Sequence, residues 1–228
     1  MIRYSVLQLG PFPPPNGGVQ TNLTAIRSTL TAAAVPNYVI NLTRFRQPDT
    51  TDVFYPEGGW AVFRLLFSLP HTIAHLHIGG NVTLRLLLLS LACCWMPGRK
   101  SVLTFHSGGY PSSPEGQTAR RWTLRGFVFR RFDRIVCVNQ AMVDMFIGKF
   151  GVPAARVKLI LPFALPAALP AASLPTQVEE FLATHDPVLI SMGWLEPEYD
   201  FALQIEALPA VREKLPRAGL LILGDGQL

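Results

Sequence analysis

Short apolar segments that alternate with longer helical segments constrain this 228-residue sequence more than any other feature. Strands are predicted over Tyr4–Leu9, Tyr38–Leu42, Ile73–Ile78, Ser101–Phe105, Arg134–Val138, Val157–Leu161, Val188–Met192 and Leu220–Leu223. Helices are predicted over Val19–Ala33, Trp60–Ser68, Val82–Trp95, Thr118–Phe132, Gln140–Phe150 and Phe201–Lys214. Strands separated by helices of about 10–15 residues are typical of βαβ units. The sequence therefore predicts an α/β fold with a parallel sheet.

The polar and glycine-rich segments of this apolar sequence follow the predicted strands. Ligands of open parallel sheets bind outside the carboxyl ends of the strands. The candidate ligand-binding segments are therefore Gly10–Gly18, His77–Asn81, His106–Tyr110, Asn139, Gly193–Asp200 and Gly224–Gly226.

The stretch GPFPPPNGGVQTNL, residues 10–23, joins the first strand to the first helix. Prolines end the strand, because they cannot donate to a ladder. Gly17 and Gly18 permit positive φ and allow a ligand to approach the backbone closely. Free N–H groups at the start of the helix would then suit an anion or a sugar. The alternative is an ordinary tight turn between a strand and a helix.

A proline-rich, uncharged stretch, residues 162–175, indicates a semi-rigid linker. We expect a first domain at 1–161 and a second domain at 176–228. The second part supplies too few elements to cover a parallel sheet, so we expect this domain to be incomplete.

The composition indicates which kinds of partner and which cellular compartment to expect. Hydrophobic residues make up 49%, charged residues 15%, the formal net charge is +5 and the pI is about 9.4. A basic balance favours anionic partners such as nucleotides, phosphorylated acceptors or anionic membranes. The three cysteines, which include the pair Cys93–Cys94, suggest buried thiols in a reducing compartment. With no targeting segment visible, and with Val82–Met96 too short for a membrane span, we expect a cytoplasmic protein.

Six arginines lie between Arg120 and Arg134, interleaved with aromatic residues. This pattern on a helix is usually a core stripe flanked by arginines whose charged ends reach solvent. Peripheral docking on an anionic membrane, at the inner face, is the second interpretation. Nucleic acid is the weakest one, and we expect no nucleic-acid partner.

Several collinear motifs carry a family resemblance. PPPNGGV, HLHIGGN, VLTFHSGG, the segment from FDRIVCVNQ to VKLI, and the segment from PVLISMGWLEPEYD to LLILGDGQL resemble glycosyltransferase family 4 in order and spacing. The resemblance covers nearly all of residues 1–226. It implies two Rossmann-like domains facing across a cleft, the GT-B arrangement. It also implies transfer of a sugar from an activated donor, usually a nucleotide sugar, with retention of configuration.

The resemblance assigns roles to individual residues. Gly17 and Gly18 match the glycine-rich loop near donor phosphate and acceptor, and His106 matches the histidine near the donor sugar. A structural role for His106 at the end of its strand is the alternative. Gly224 and Gly226 match the glycine turn of the second domain, and Asn139 is a further candidate binding residue.

His75 and His77 share one face of a predicted strand, because side chains alternate along a strand. Two histidines without a third ligand make a poor metal site, so they are expected to pack or to line the cleft. We expect neither a metal nor a cofactor.

The second-domain loop departs from the family pattern. Trp194 stands where the family commonly has arginine, and Tyr199 where it has lysine. Both cations would contact a pyrophosphate, and each charge-assisted hydrogen bond contributes about 1.5–3 kcal/mol. Trp194 could instead stack on a base or a sugar ring. The acidic pair of the family would lie downstream of Gly226, and this sequence ends at Leu228 before reaching it.

Two functions remain open at this point. The first is a retaining glycosyltransferase that uses a nucleotide-sugar donor and a glycan or lipid-linked acceptor. The second is a non-catalytic, glycosyltransferase-like subunit that binds a sugar or a partner.

Overall fold

The computed structural model describes residues 4–14, 16–46, 50–162, 173–193, 195 and 199–226. It divides the chain into two compact units, Met1–Leu165 and Pro166–Leu228. Most of the predicted linker, residues 163–172 of 162–175, lies outside the described residues, as does Trp194.

The first unit contains seven strands and six α-helices among its described residues. The strands are β1 Val6–Gly10, β2 Asn37–Asn41, β3 Val53–Phe54, β4 Ile73–Ile78, β5 Lys100–Phe105, β6 Arg134–Cys137 and β7 Val157–Leu159. The α-helices are α1 Gly18–Ala32, α2 Gly59–Ser68, α3 Leu84–Cys94, α4 Pro114–Gln117, α5 Leu124–Phe129 and α6 Gln140–Asp144. A π-helical stretch, Met145–Lys149, continues α6.

All strand pairs of the first unit are parallel, and the sheet order is β3-β2-β1-β4-β5-β6-β7. The order reverses between β1 and β4, so the loops after these two strands flank a topological switch point. The predicted α/β fold class with a Rossmann-like parallel sheet is confirmed.

The two faces of this sheet differ in chemistry. One face forms the main core, where Leu7, Leu76 and Phe105 are fully buried together with residues of α2, α3 and α5. On the other face, α1 packs over a smaller cluster that includes Leu23 and Val39. Because side chains alternate along a strand, Gln8 of β1, His75 and His77 of β4 and Thr104 of β5 fall on this second face.

The second unit contains α7 Thr176–Thr184, β8 Val188–Met192, α8 Phe201–Lys214 and β9 Gly219–Leu223. Its two strands pair in parallel. With a helix before each strand, this unit is also α/β.

The predicted helix over Thr118–Phe132, and with it the basic helix Arg120–Arg134, is wrong. Only Leu124–Phe129 is helical, and Arg134 begins β6. The Thr123 side chain accepts a hydrogen bond from the Gly126 N–H and starts a new helix there. A Cβ at Gly126 would lie 2.5 Å from the Arg120 carbonyl oxygen, so the preceding turn folds back onto the helix. The apolar spacing fits a helix, but local capping and tertiary packing decide the backbone path.

Two other predictions need correction. Strand β3 was not predicted, because its two residues are too few for a periodic signal. Neither Gly17 nor Gly18 adopts positive φ; Gly17 is extended, with φ of −166°. The close approach of a ligand to the backbone, and not a left-handed turn, is therefore the remaining explanation for glycine at these two positions.

Candidate active site

A cavity of about 440 Å³ lies at the switch point of the first unit, at the carboxyl ends of β1 and β4. The residues that line it are Pro11, Val19, Gln20, Leu42, Thr43, His77, Ile78, Gly79, Gly80, Leu86 and His106. None of these residues is acidic or basic apart from the two histidines. The cavity therefore offers hydrogen-bonding groups in neutral surroundings, which suits an uncharged polyol more than an anion.

Two glycines let the walls of this cavity come together. A Cβ at Gly10 would lie 2.9 Å from the Cβ of His77 and 3.0 Å from Leu23. A Cβ at Gly79 would lie 2.8 Å from a methyl group of Val19 in α1. Both contacts are closer than a side chain tolerates, so α1 and the loop after β4 reach their positions only with glycine at 10 and 79.

The first turn of α1 borders the cavity. Gly17 provides no side-chain cap, and Val19 and Gln20 of this turn line the cavity wall. A Cβ at Gly18 would meet nothing within 4 Å, so the space beside this backbone is open. The N–H groups of an uncapped first turn are hydrogen-bond donors that a ligand can use.

His106 and His77 form the polar centre of the site. The Nδ1 atom of His77 lies 3.1 Å from the Nε2 atom of His106, and the ring centroids are 5.4 Å apart. The backbone N–H of His106 donates to the Ile78 carbonyl at 2.7 Å, which fixes His106 beside the end of β4. The structure therefore brings the predicted His106 next to His77, a residue predicted only to pack or to line the cleft.

His75 and Thr104 extend this polar row beneath α1. The Nε2 atom of His75 lies 2.7 Å from the Thr104 hydroxyl, and the rings of His75 and His77 are 4.2 Å apart. Gln8, the β1 neighbour of His75, is fully buried, and neither side-chain polar atom has a partner among the described residues. Gln8, a polar residue inside the otherwise apolar first strand, is the sequence feature that could have indicated this buried polar layer.

Burial keeps all three histidines neutral. It lowers the pKa of His106 to about 4; for His75, burial together with the nearby His106 lowers the pKa to about 4. The pKa of His77 falls well below its usual value, because it is buried and lies beside the other two rings. At neutral pH one ring nitrogen of the His77–His106 pair donates and the other accepts. A neutral imidazole can exchange hydrogen bonds with a sugar hydroxyl, but it carries no charge for a phosphate.

These pKa shifts predict a pH-dependent stability. The unfolded chain binds protons at these histidines near pH 6.5, whereas the folded chain resists them until about pH 4. Stability is therefore complete above pH 6.5 and decreases as the pH falls toward 4, since the unfolded state binds more protons in that window. Urea unfolding at pH 7.5, 6, 5 and 4.5 measures this loss, and His75→Gln is expected to flatten it. A free energy of unfolding that stays constant over this range would contradict the burial of neutral histidines.

Asn139 holds the loop beside His106 in place. Its side-chain oxygen accepts from the Met142 N–H at 2.9 Å and caps α6, while its amide donates to the Gly108 carbonyl at 3.1 Å. These bonds engage both ends of the amide. The observed contacts of Asn139 are therefore structural, and ligand contact by this residue stays a prediction.

A larger cavity of about 980 Å³ adjoins the first one and shares Leu42, Thr43 and Leu86 with it. It lies between the ends of β2 and β3 and the first turns of α2 and α3. Arg44, Arg46 and Arg85 line it together with apolar side chains, and Arg46 pairs with Glu57 at 3.1 Å. This cavity combines positive charge with apolar walls, which the smaller cavity does not.

The arginines between 120 and 134 are partly engaged within the fold. Arg125 donates to the Tyr110 hydroxyl and the Glu115 carbonyl, and Arg130 donates to the carbonyls of Arg121 and Phe150. Phe129 and Phe132 are fully buried. This agrees with the core-stripe interpretation for these two aromatic residues, although Trp122 is 86% exposed.

In the second unit, the loops after β8 and β9 pack closely together. A Cβ at Gly224 would lie 2.0 Å from the Gly193 carbonyl oxygen, and one at Gly226 would lie 2.6 Å from the Leu195 carbonyl oxygen. Chain packing therefore requires these two glycines, whether or not a ligand binds. The Tyr199 ring stacks on Phe201, with centroids 5.9 Å apart, and it lies against Gly193.

The described residues contain no group of three or more side chains placed to hold a metal ion. Cys93, Cys94 and Cys137 are free thiols, and burial raises the pKa of Cys94 and of Cys137 to about 12. These thiols are unreactive at neutral pH, since the thiolate is the nucleophile.

Two solved structures share this fold. A glycosyltransferase from Rickettsia africae ESF-5 matches 97% of this chain with a TM-score of 0.53 and 12% identity. An alpha-glucosyltransferase, solved in complex with UDP and a 13-mer DNA containing a central A:G mismatch, matches 96% with a TM-score of 0.51 and 11% identity. The chain spans 68% and 66% of these two proteins. At such low sequence identities, the structural similarity shows a shared fold alone.

Comparison with curated proteins found no match to this chain. The model of Glycosyltransferase Family 4, in contrast, matches residues 21–163, more than half of the sequence. This range includes β4, His77, His106 and eight of the eleven residues that line the cavity at the switch point; Pro11, Val19 and Gln20 precede it. The chain therefore belongs to glycosyltransferase family 4.

Proposed function

We propose that this chain transfers a sugar from a nucleotide-sugar donor to a glycan or lipid-linked acceptor, with retention of the anomeric configuration. The observation that carries the proposal is the neutral, histidine-centred cavity at the switch point of a family 4 domain. Retention and the acceptor class in this proposal follow from the family resemblance of the sequence motifs.

In this proposal, the smaller cavity receives a sugar ring. His106 hydrogen-bonds a sugar hydroxyl and stabilises charge that develops during transfer, and His77 fixes the orientation of its ring through the 3.1 Å contact. Gly17 and Gly18 let the donor phosphate or the acceptor approach the free N–H groups of α1. A neutral His106 acts through hydrogen bonds and not as a cation.

The larger cavity is the proposed entrance for the acceptor. Arg44, Arg46 and Arg85 would interact with a phosphate or another anionic group, and the apolar walls would bind a hydrophobic portion. Because the two cavities share three residues, an acceptor seated in the larger one can place a hydroxyl in the smaller one. Such an arrangement supports a lipid-linked acceptor somewhat more than a free glycan.

The second unit is proposed to contact the nucleotide through Trp194, Tyr199, Gly224 and Gly226. The packing of Gly224 against Gly193 and of Gly226 against Leu195 supports a tight turn at this position. Nucleotides of uridine are the first donors to test, because one protein of the same fold is named with UDP.

The second candidate function is a non-catalytic subunit that binds a sugar or a partner. One observation favours it: the Tyr199 ring, at the position where the family has lysine, is neutral and stacks on Phe201. An uncharged residue at this position is expected in a chain that binds sugars at the histidine cavity but does not bind a diphosphate.

A reducing compartment such as the cytoplasm is part of the proposal. The free, buried thiols support it, since disulfides are rare in reducing compartments.

A thermal-shift panel of nucleotide sugars, free nucleotides and free sugars tests the proposed function. We expect a nucleotide sugar to raise the Tm more than the sugar alone, since ligands stabilise the state that binds them. A shift with free sugars and none with any nucleotide would favour the non-catalytic subunit.

The replacement of two cations by Trp194 and Tyr199 predicts weak nucleotide-sugar affinity. We expect Trp194→Arg combined with Tyr199→Lys to tighten donor binding by roughly 10²-fold or more, because each restored charge-assisted bond contributes about 1.5–3 kcal/mol. Calorimetry on both proteins measures this gain. Arg212→Gln, on α8, serves as a charge control, and tight wild-type binding would contradict the prediction.

A further inference from the structure

The outward sides of α2 and α3 are unusually apolar. In each helix the buried side already joins the core through residues such as Leu66, Leu89 and Cys93. The opposite side of a surface helix is normally polar. Here it carries Trp60 at 83% exposure, Phe67 at 55%, Leu84 at 61%, Leu88 at 51% and Trp95 at 71%. We call these five residues, with Arg64 and Arg85, the α2–α3 face.

The spacing of these residues places them in one stripe on each helix. Trp60, Arg64 and Phe67 follow at intervals of four and three in α2. Leu84 and Leu88 in α3 are four apart, and Trp95 at its C-cap follows two turns later. Residues with this spacing lie on the same side of a helix.

The two stripes belong to one surface. The helices α2 and α3 pack against each other on the same face of the sheet. Phe63 of α2 and Leu88 of α3 line the same cavity, so the first turns of the helices lie close together. The helix α5 packs beside α3, and its Leu124 and Phe127 are exposed as well. The apolar surface therefore continues past α3.

The charges of this surface have a single sign. No aspartate or glutamate occurs in the sequence between Glu57 and Glu115. The exposed charges on the two stripes are those of Arg64 and Arg85. Apolar side chains with tryptophan at the margins and arginine as the charge are typical of helices that lie in a membrane interface.

We propose that the α2–α3 face docks on the surface of an anionic lipid bilayer. The apolar side chains enter the boundary between headgroups and acyl chains, and Arg64 and Arg85 contact lipid phosphates. The proposed contact is a peripheral one. None of the helices in the described part of the chain has the length and hydropathy of a membrane span. This proposal rests on surface composition and does not depend on glycosyl transfer.

A second copy of the chain fits this surface less well. In a two-fold symmetric contact the same patch meets itself. Both sides of such a contact would then carry the same positive charges of Arg64 and Arg85, and the stripes hold no carboxylate to compensate them. An anionic bilayer supplies the missing negative charge.

Vesicle binding tests the proposal directly. The chain is mixed with vesicles of phosphatidylcholine, or of phosphatidylcholine with one third phosphatidylglycerol, and bound protein is separated by flotation. We expect binding to the anionic vesicles, weaker binding in high salt, and quenching of tryptophan fluorescence by brominated lipid. A chain that binds neither kind of vesicle, or that binds both equally, overturns the proposal.

Two variants and a control locate the surface. Trp60→Ser with Trp95→Ser, and separately Arg64→Glu, are expected to weaken binding to anionic vesicles roughly tenfold or more. The control Leu203→Ser with Ile205→Ser changes exposed apolar residues of α8, at 58% and 56%, and is expected to bind as the wild type does. Circular dichroism confirms that each variant is folded. A loss of binding in the control alone, or a dimer that the Trp60 and Trp95 variant dissociates, would overturn the assignment.

Discussion

Replacing His106 with alanine is expected to lower kcat for sugar transfer on the order of 10²–10³-fold while leaving the fold intact. The substitution removes a hydrogen-bonding group from the proposed sugar cavity, and losses of this size are typical when one preorganised group is removed from an active site. It also leaves Nδ1 of His77 without the partner that now lies 3.1 Å away. Initial rates with the donor identified in the thermal-shift panel measure the effect.

Two further variants make this test specific. His106→Gln keeps a group that donates and accepts hydrogen bonds, so it is expected to recover part of the lost rate. His71→Gln removes another buried histidine, which contacts the Leu69 carbonyl and Arg99 and lines neither cavity. Its kcat is expected to stay near the wild-type value. If His106→Ala kept the normal kcat, the cavity at the switch point would not be the catalytic site.

Gly18→Val is expected to abolish sugar transfer without unfolding the protein. A Cβ at Gly18 meets no atom within 4 Å, so the folded chain has room for the new side chain. The same side chain would occupy the open space beside the first turn of α1, where the proposal places donor phosphate or acceptor. Activity and Tm are measured together, and the Tm is expected to change by only a few degrees.

Gly148→Val provides the matched control, because Gly148 lies in the π-helical stretch and a Cβ there also meets nothing within 4 Å. This variant is expected to keep its activity. Full transfer activity in Gly18→Val, or an equal loss in Gly148→Val, would show that the space beside α1 is not used by a ligand.

Six of the seven described strands of the first unit could be predicted, because each of the six is a local property of the sequence. A short apolar segment bounded by prolines or glycines predicts a buried strand, and the boundaries of β4 were predicted to the residue. Alternation with helices then predicts parallel pairing and places ligands at the carboxyl ends. The proposal of a site at the glycine-rich segment after β1 and at His106 followed from these local patterns and from the family resemblance.

The path of residues 118–132 could not be predicted from periodicity. Phe129 and Phe132 have helical spacing and are buried, as the pattern indicates. However, the break before α5 depends on the close approach of Gly126 to the Arg120 carbonyl and on contacts of Arg125 with Tyr110. Contacts of this kind join residues on separate turns, and helical spacing alone contains no information about them.

The sequence by itself determined the α/β class, the alternation of its elements and the positions of the loops that surround a site. Only the tertiary structure decided that β1 lies beside β4, which brings Gly10, His77 and His106 together, and that the histidines are buried and neutral. It also decided that α2 and α3, which have apolar residues on all sides, expose Trp60 and Trp95. The physical reason is that periodicity fixes the local backbone, whereas strand order and burial depend on contacts between residues far apart in the chain. The sequence does not show whether a histidine side chain contacts water or a second imidazole, and the pKa of the histidine depends on that environment.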